Sequence, residues 1–339
     1  MATLSVAILG LNLVSASVGL ALRRYMTKGG KYQFQITGYD YSADVAKQAQ
    51  KMGAIDRSER QVFSAVKDAD IVIMALSYEE VADTYKAIKS DLRDGVVILD
   101  FSPLKAPSLK WANEALSDEH HIVGATPIVN PRYLFVADNT IEQAQEDLFD
   151  DSAILLTPSA HCIKEAVDLS LNFVQILGSK PRFLDPLEHD TLLAQTNQLP
   201  RVLGTLLFYN LMNHSNWDDL QWFTNPAFGV LTRPLFDTHP DGLRDEFMVN
   251  REVLARIMDD FIRSMQVFRD TLRSGDKDAI ETITVDAAAK YEAWVNNRHR
   301  ANWDKPSQNE TSIKGTFMQG LLGTTLSEKL FGEKDEDKK

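Results

Sequence analysis

The spacing of apolar positions in this chain changes near its middle. Leu4–Leu9 is a nearly continuous apolar run, and after Gly10 the residues Val14, Val18, Ala21 and Leu22 recur at helical spacing. That pattern predicts a buried strand, a tight turn and a helix over Val14–Met26. A second strand is expected at Tyr32–Tyr39 and helices at Ala43–Met52 and Gln61–Lys67. Short β-branched or apolar runs follow at Ala69–Ala75, Val96–Asp100, His121–Ala125 and Ala153–Leu156. At least six strands joined by helical crossovers imply an α/β fold, a doubly wound parallel sheet that binds ligands at the C-terminal ends of its strands. From Ile163 onward the spacing is helical: Ile163–Leu177 ending at Gly178, His189–Asn213, Asp245–Arg273 and Asp278–Asn297, with a short strand at Arg182–Leu184 as the exception.

A strand entering a helix through a glycine turn opens a Rossmann-type dinucleotide-binding unit, because the helix N-terminus offers unpaired N–H groups to a pyrophosphate. Here Gly-x-Gly-x-x-Gly reads Gly10-Leu11-Asn12-Leu13-Val14-Ser15, and only the first glycine stands. Asn12 can take the backbone conformation of the second glycine, but its side chain crowds the pyrophosphate; Ser15 is small enough for close packing. Asp40, just past the second strand, would accept hydrogen bonds from ribose hydroxyls and repel a 2'-phosphate, favouring NAD over NADP; a turn aspartate is the other reading. Ser77 is either a cofactor contact or a turn serine. The expected cofactor set is Gly10, Asn12, Leu13, Val14, Ser15, Asp40 and Ser77. The domains expected are 1–160 for the dinucleotide, 161–178 as a linking helix, 179–325 as an all-α substrate and dimerisation domain, and 326–339 as a disordered charged tail.

A length of 339 residues suits two domains. The net charge of -12 argues against nucleic acid, since Arg298-His299-Arg300 is too short to form a basic stripe. The single cysteine, Cys162, allows no internal disulfide and reads as a small apolar residue in a helix. Leu4–Leu22 is long enough to span a membrane, but Asn12, Ser15 and Ser17 interrupt it and no basic segment precedes it. A cytoplasmic protein with no membrane partner is expected.

The stretch His189–Arg201 carries candidate chemistry. Asp190, Asn197 and Arg201 fall within an arc of about 40° on a regular helix. Leu192, Leu199 and Leu203 lie opposite, so an amphipathic helix with a solvated face accounts for the spacing equally. Pro200 suggests a kink. Gly124–Ile128 and Asp100–Lys105 each leave a strand where ligands bind. Thr232-Arg233-Pro234 follows the aromatic stretch Trp217–Phe228 and reads either as a carboxylate-binding arginine or as a surface one.

In this order the motifs resemble those of the prephenate and arogenate dehydrogenases of tyrosine biosynthesis, over roughly residues 4 to 300. Ile36–Asp40 and Met52–Asp56 look like the family's second strand and following helix. Gly124-x-Thr126-Pro127-Ile128 stands where the family has Gly-x-His-Pro-Met. His189-Asp190-x-x-x-Ala194-x-x-Asn197-Gln198-Leu199-Pro200-Arg201 is similar to its His-Asp-x-x-x-Ala-x-x-Ser-His-Leu-Pro-His, and Thr232-Arg233 and Asn250 have counterparts. The resemblance implies an NAD-dependent oxidative decarboxylation by a homodimer. Thr126, Ser102, His189 and Asp190 would lie at the chemistry, Arg233, Asn197, Gln198 and Arg201 around a carboxylated substrate, and no metal is implied.

Several positions depart from that pattern. Thr126 replaces a histidine, Pro103 replaces the serine of Asp-x-x-Ser-x-Lys beside Ser102, and Gln198 and Arg201 replace two more histidines. Losing a positioned base costs about 10²- to 10⁴-fold. His121, at the start of its strand, would lie about 16 Å from Thr126 and cannot substitute. His189 matches a family histidine already. Two readings therefore stand: a dehydrogenase acting on prephenate, arogenate or another carboxylated substrate, and a non-catalytic dimer that binds a ligand or partner.

Overall fold

The computed structural model describes residues 2–135, 140–233, 235 and 238–300; the expected tail at 326–339 lies outside them. Strand β1 (Ala2–Leu9) runs through the Gly10 turn into α1 (Leu13–Thr27), followed by β2 (Tyr32–Tyr39), α2 (Ala43–Lys51), β3 (Arg57–Ser58) and α3 (Val62–Val66). Next come β4 (Ile71–Met74), α4 (Tyr78–Ile88), β5 (Val97–Asp100), α5 (Lys105–Ala115), β6 (His121–Ile128), β7 (Ala153–Pro158), α6 (Lys164–Ile176) and β8 (Lys180–Phe183). Among the described residues these strands form one sheet of order β3-β2-β1-β4-β5-β6-β7-β8. All neighbours are parallel except β6 and β7, which pair antiparallel from Val123↔Pro158 to Ile128↔Ala153.

The departures from the expected sheet have local causes. Gly124–Ile128 was expected to leave a strand as a loop, but β7 pairs with it, so Thr126 sits within β6. The helix α6, expected to link two domains, packs on the sheet and delivers β8 alongside β7. Strand β8 carries only one aromatic and no β-branched residue, and its faces are half-exposed or exposed, so its hydrophobic signal is weak. Cys162 lies in the turn before α6, half-buried, and not in a helix as expected. Burial pushes its thiol up to about 11.

Two apolar layers enclose the sheet. One contains Val6, Ile8, Val18, Leu22, Phe34 and Phe173, joining α1, α2 and α6 to one face. The other contains Leu9, Val72, Met74, Val81, Tyr85 and Leu109, joining α3, α4 and α5 to the other. The central strands β4 and β5, and β1 from Val6 to Leu9, are buried on both sides, which is why they read as unbroken apolar runs. The register puts Leu9, Met74, Asp100 and Gly124 in one row across four strands. The segments that follow this row lie at the edge where sheets of this type bind ligands.

After β8 come α7 (Pro186–Leu193), a π turn at Ala194–Gln198, α8 (Leu199–Met212), α9 (Trp217–Leu220), α10 (Pro226–Thr232), α11 (Pro240–Val249), α12 (Arg251–Ser274) and α13 (Lys277–His299). The helix expected over Asp245–Arg273 is thus two, parted at Asn250. The chain divides into two compact units between Met258 and Asp259. In the second, the α13 helix is capped by the Asp276 side chain and buries none of its residues. No helix among the described residues is long and apolar enough to cross a membrane.

Helix α1 packs closely on the turn between α2 and β3 through Gly19, where an added Cβ would stand 1.9 Å from the Ala54 carbonyl oxygen. Gly19→Ala is expected to destabilise the protein by about 1–3 kcal/mol through overpacking, as read by urea unfolding; an unchanged midpoint would contradict this packing.

Candidate active site

The turn after β1 is closed on its own side chains. Gly10 has φ +86, and a Cβ there would lie 2.5 Å from the Ala75 carbonyl oxygen, so both conformation and space require glycine. Asn12 caps α1: its Oδ1 accepts from the N–H of Val14 at 3.0 Å and of Ser15 at 3.1 Å. Ser15 Oγ accepts from the Asn12 N–H at 2.9 Å and donates to the Gly10 carbonyl at 2.7 Å. Asp40 Oδ2 accepts from the Leu11 N–H at 2.8 Å and Oδ1 from Ser42 N–H at 2.8 Å. Leu13 opens the helix itself, and Ser77 precedes α4 at the end of β4, exposed.

A second cluster forms where β5, β6 and α7 meet. Asp100 at the end of β5 accepts from the Ser102 N–H at 2.8 Å and from the Ser108 hydroxyl. Lys105, fully buried, donates from Nζ to the carbonyls of Asp100 (2.8 Å), Ser102 (2.5 Å) and Ala125 (3.0 Å). Burial lowers its pKa to about 8, against the pull of Asp100 and Asp190, so the ammonium is still charged at neutral pH. Ser102 is buried with its hydroxyl 3.5 Å from the Leu104 carbonyl.

Helix α5 begins at Lys105 after Leu104, which has no side chain able to cap it. The cap comes from Asp190: its Oδ1 accepts from Lys105 N–H at 2.8 Å and its Oδ2 from Ala106 N–H at 2.9 Å. Asp190 Oδ1 also lies 2.8 Å from His189 Nδ1, and His189 Nε2 lies 2.8 Å from Thr126 Oγ1. His189 and Asp190 are 2% and 4% exposed, while Thr126 is half-buried. Three expected residues thus form one connected row.

The polar line expected on one helix face does not form. The π turn, in which Leu199 N–H bonds to the Ala194 carbonyl, adds a residue to one turn and rotates everything beyond it. It also sits immediately before Pro200, whose missing N–H falls at the start of α8. Asn197 therefore points outward and is exposed, whereas Gln198 is wholly buried. Gln198 Nε2 donates to the Glu246 carbonyl at 3.2 Å and its Oε1 accepts from Asn250 Nδ2 at 2.8 Å. Asn250 Nδ2 is also 3.3 Å from the Asp190 carbonyl. Arg201 donates to Glu246 Oε2 at 2.6 Å and to Thr238 Oγ1 at 2.7 Å. Burial raises the Glu246 carboxyl and Arg201 draws it partly back. Arg233 follows α10, which packs against α8, and is half-buried.

Lys105, Glu246 and Tyr78 were not among the expected site residues. Tyr78 is buried with its hydroxyl unpartnered, and burial raises its pKa with Asp190, Glu246 and Asp100 nearby. A lysine immediately after a strand–turn segment was visible in Asp100–Lys105; nothing local marked the other two.

An open-edged parallel sheet with a glycine turn at its switch point and a helical region reaching back to the same edge defines a nucleotide-binding protein with a second, helical part. Residues 18–182 match the family model described as prephenate dehydrogenase, nucleotide-binding domain, and residues 185–284 match prephenate dehydrogenase, dimerization domain. The chain belongs to the prephenate dehydrogenase family. It is 24% identical over 275 residues to the cyclohexadienyl dehydrogenase of Zymomonas mobilis, covering 80% of this chain and 90% of that protein. It is 26% identical over 271 residues to the prephenate dehydrogenase of Bacillus subtilis, covering 79% and 70%. Its fold is like that of the A. aeolicus prephenate dehydrogenase in complex with hydroxyphenyl propionate and NAD+ (TM-score 0.72, 20% identity, 86% and 99% covered). It is also like that of Synechocystis arogenate dehydrogenase (TM-score 0.63, 17% identity, 86% and 100% covered).

Two outcomes follow from this geometry. Asn12→Gly frees the Val14 and Ser15 N–H groups and is expected to tighten NAD binding about 5- to 30-fold, from one or two hydrogen bonds no longer displaced. Loss of the cap to glycine costs only a few tenths of a kcal/mol; calorimetric titration showing equal or weaker binding would refute the competition. For Lys105, the folded pKa of about 8 lies below the ordinary 10.5, so the unfolded chain binds more protons between them. Stability from this group is therefore lost as pH falls through about 8 and regained toward about 10.5. Urea unfolding of wild type and Lys105→Met across that window should show the rise only in wild type.

Proposed function

We propose that this chain is an NAD-dependent dehydrogenase that oxidatively decarboxylates a cyclohexadienyl carboxylate of the prephenate or arogenate type, working as a homodimer through its helical part. The observation that carries the reading is the common edge of the sheet. Leu9, Met74, Asp100 and Gly124 stand in one row, and the Gly10 turn and Thr126 follow it at opposite ends, three strand spacings or about 14 Å apart. A dinucleotide held at the turn would extend along this edge toward Thr126.

The residues fit such a cofactor in shape. Gly10 lets β1 turn into α1 hard against the Ala75 backbone, Asp40 stands at the turn where ribose hydroxyls would meet it, and the Val14 and Ser15 N–H groups at the start of α1 would serve a pyrophosphate in place of the Asn12 side chain. When bound, the nicotinamide supplies the hydride acceptor. Gly10, Asn12, Leu13, Val14, Ser15, Asp40 and Ser77 hold it in this reading. Arg233 grips the substrate carboxylate, with Asn197 on the exposed side of the π turn facing the same ligand. Gln198 and Arg201 act from behind the pocket by fixing α8 to Glu246 and Asn250. The homodimer is supported by the match to a dimerization domain and by an apolar stripe on α12, Ile262, Met265, Phe268 and Leu272, left exposed in the single chain.

The second reading, a ligand-binding dimer without turnover, is favoured by one observation: the turn donors that a pyrophosphate needs are already engaged by Asn12. The two separate in a direct assay. NADH formation from NAD with prephenate or arogenate, and no NADPH from NADP, is the expected result. No NADH with either substrate at saturating NAD, together with calorimetric binding of the same compounds, would establish the second reading.

A further inference from the structure

The missing histidine at Thr126 leaves the proposed reaction without an obvious base, and the structure supplies one by an indirect route. We propose that His189, reached through the Thr126 hydroxyl, accepts the proton of the substrate hydroxyl; this rests on the dehydrogenase reading above. Thr126 is the half-buried end of the row and can meet a ligand, whereas His189 is sealed behind it. Asp190 accepts hydrogen bonds from the Lys105 and Ala106 N–H groups, so it is an ionised acceptor. Its third partner, His189 Nδ1 at 2.8 Å, must then be the protonated nitrogen. The neutral ring keeps its lone pair on Nε2, 2.8 Å from Thr126 Oγ1, and the threonine hydroxyl donates to it. This is the hydroxyl–imidazole–carboxylate order in which a fixed carboxylate sets the tautomer and stabilises the imidazolium.

A threonine hydroxyl is too weak a base alone, but it need not hold the proton. The substrate O–H bond breaks toward Thr126 Oγ1 as the Oγ1–H bond breaks toward His189 Nε2, leaving an imidazolium beside Asp190. The C–H electron pair leaves with its hydrogen to the bound dinucleotide, and the substrate carbon becomes a carbonyl. When the bond to the carboxylate breaks, carbon dioxide departs and its electron pair makes the ring aromatic. The new phenolic oxygen then takes the proton back along the same path. The sum is carbon dioxide, a phenol and the reduced dinucleotide, with no net proton and His189 restored.

The other ionisable groups around this pair are engaged elsewhere. Lys105 Nζ, from the β5–α5 junction, is spent on three carbonyls, and Asp100 on Ser102 and Ser108. Glu246 of α11 is paired with Arg201, and the Tyr78 phenol of α4 is held protonated by burial. Asp190 lies on the same helix as His189 and faces its other nitrogen.

The test compares wild type with Thr126→Ser, Thr126→Val and His189→Gln, using NAD and whichever of prephenate or arogenate is turned over. Thr126→Ser should keep kcat within about threefold, because the hydroxyl is retained. Thr126→Val, similar in shape, should lose about 10²- to 10³-fold in kcat with KM nearly unchanged. The fall of kcat on the acid side should be present in wild type and Thr126→Ser and absent from His189→Gln. Imidazole ¹⁵N spectra of the wild type should show the His189 proton on Nδ1 near neutral pH. A proton on Nε2 there, a Thr126→Val enzyme with wild-type kcat, or an acid limb surviving in His189→Gln would each overturn the relay alone. A wild type with no turnover would overturn the dehydrogenase reading and the relay with it. If His189→Gln fails to fold, the threonine pair and the spectra still decide.

Discussion

The structure around the candidate site depends on one carboxylate. Asp190 caps a helix that begins 85 residues before it in sequence, because Leu104 at the start of α5 has nothing to offer the Lys105 and Ala106 N–H groups. An anion at a helix N-terminus gains from both the orphan donors and the helix dipole. Buried at this depth, either partner alone would carry a large desolvation cost. Their union therefore fixes α7 on the edge of the sheet, and with it His189 against Thr126.

A similar economy of donors governs the turn after β1. A nucleotide turn needs its N–H groups free for phosphate, while a turn without ligand is more stable if they are satisfied. Asn12 and Ser15 satisfy them internally, in the reciprocal pattern of a capping box. The same capping that stabilises the turn competes with the pyrophosphate. A glycine at position 12 would have left that conflict out.

The π turn shows how a local irregularity redistributes function. On a regular helix Asp190, Asn197 and Arg201 would share one face. One extra residue in the turn sends Asn197 out and Gln198 in, where its amide bridges Asn250 and the Glu246 backbone. Gln198 and Arg201, positions first read as pocket residues, thereby become the struts that hold α8 beside α11. Pro200 was the visible sign of irregularity, but a kink and a π turn differ in which side chain is turned inward.

The sheet was legible in the sequence because strands buried on both faces must be apolar throughout, and Gly10, Asp40 and the motif order placed the ligand edge and the family. The antiparallel direction of β7 against β6 was not, since periodicity carries no strand direction, and β8 was expected only as the short run Arg182–Leu184, since an exposed edge strand need not be apolar. Hydrophobic periodicity reports only which way a residue faces within its own element. The Asp190 cap, the His189–Thr126 contact and the sealing of Lys105 by three carbonyls join residues 3 to 85 positions apart. Such bonds are set by where the backbone leaves an unpaired donor or acceptor, and only the assembled tertiary structure decides that.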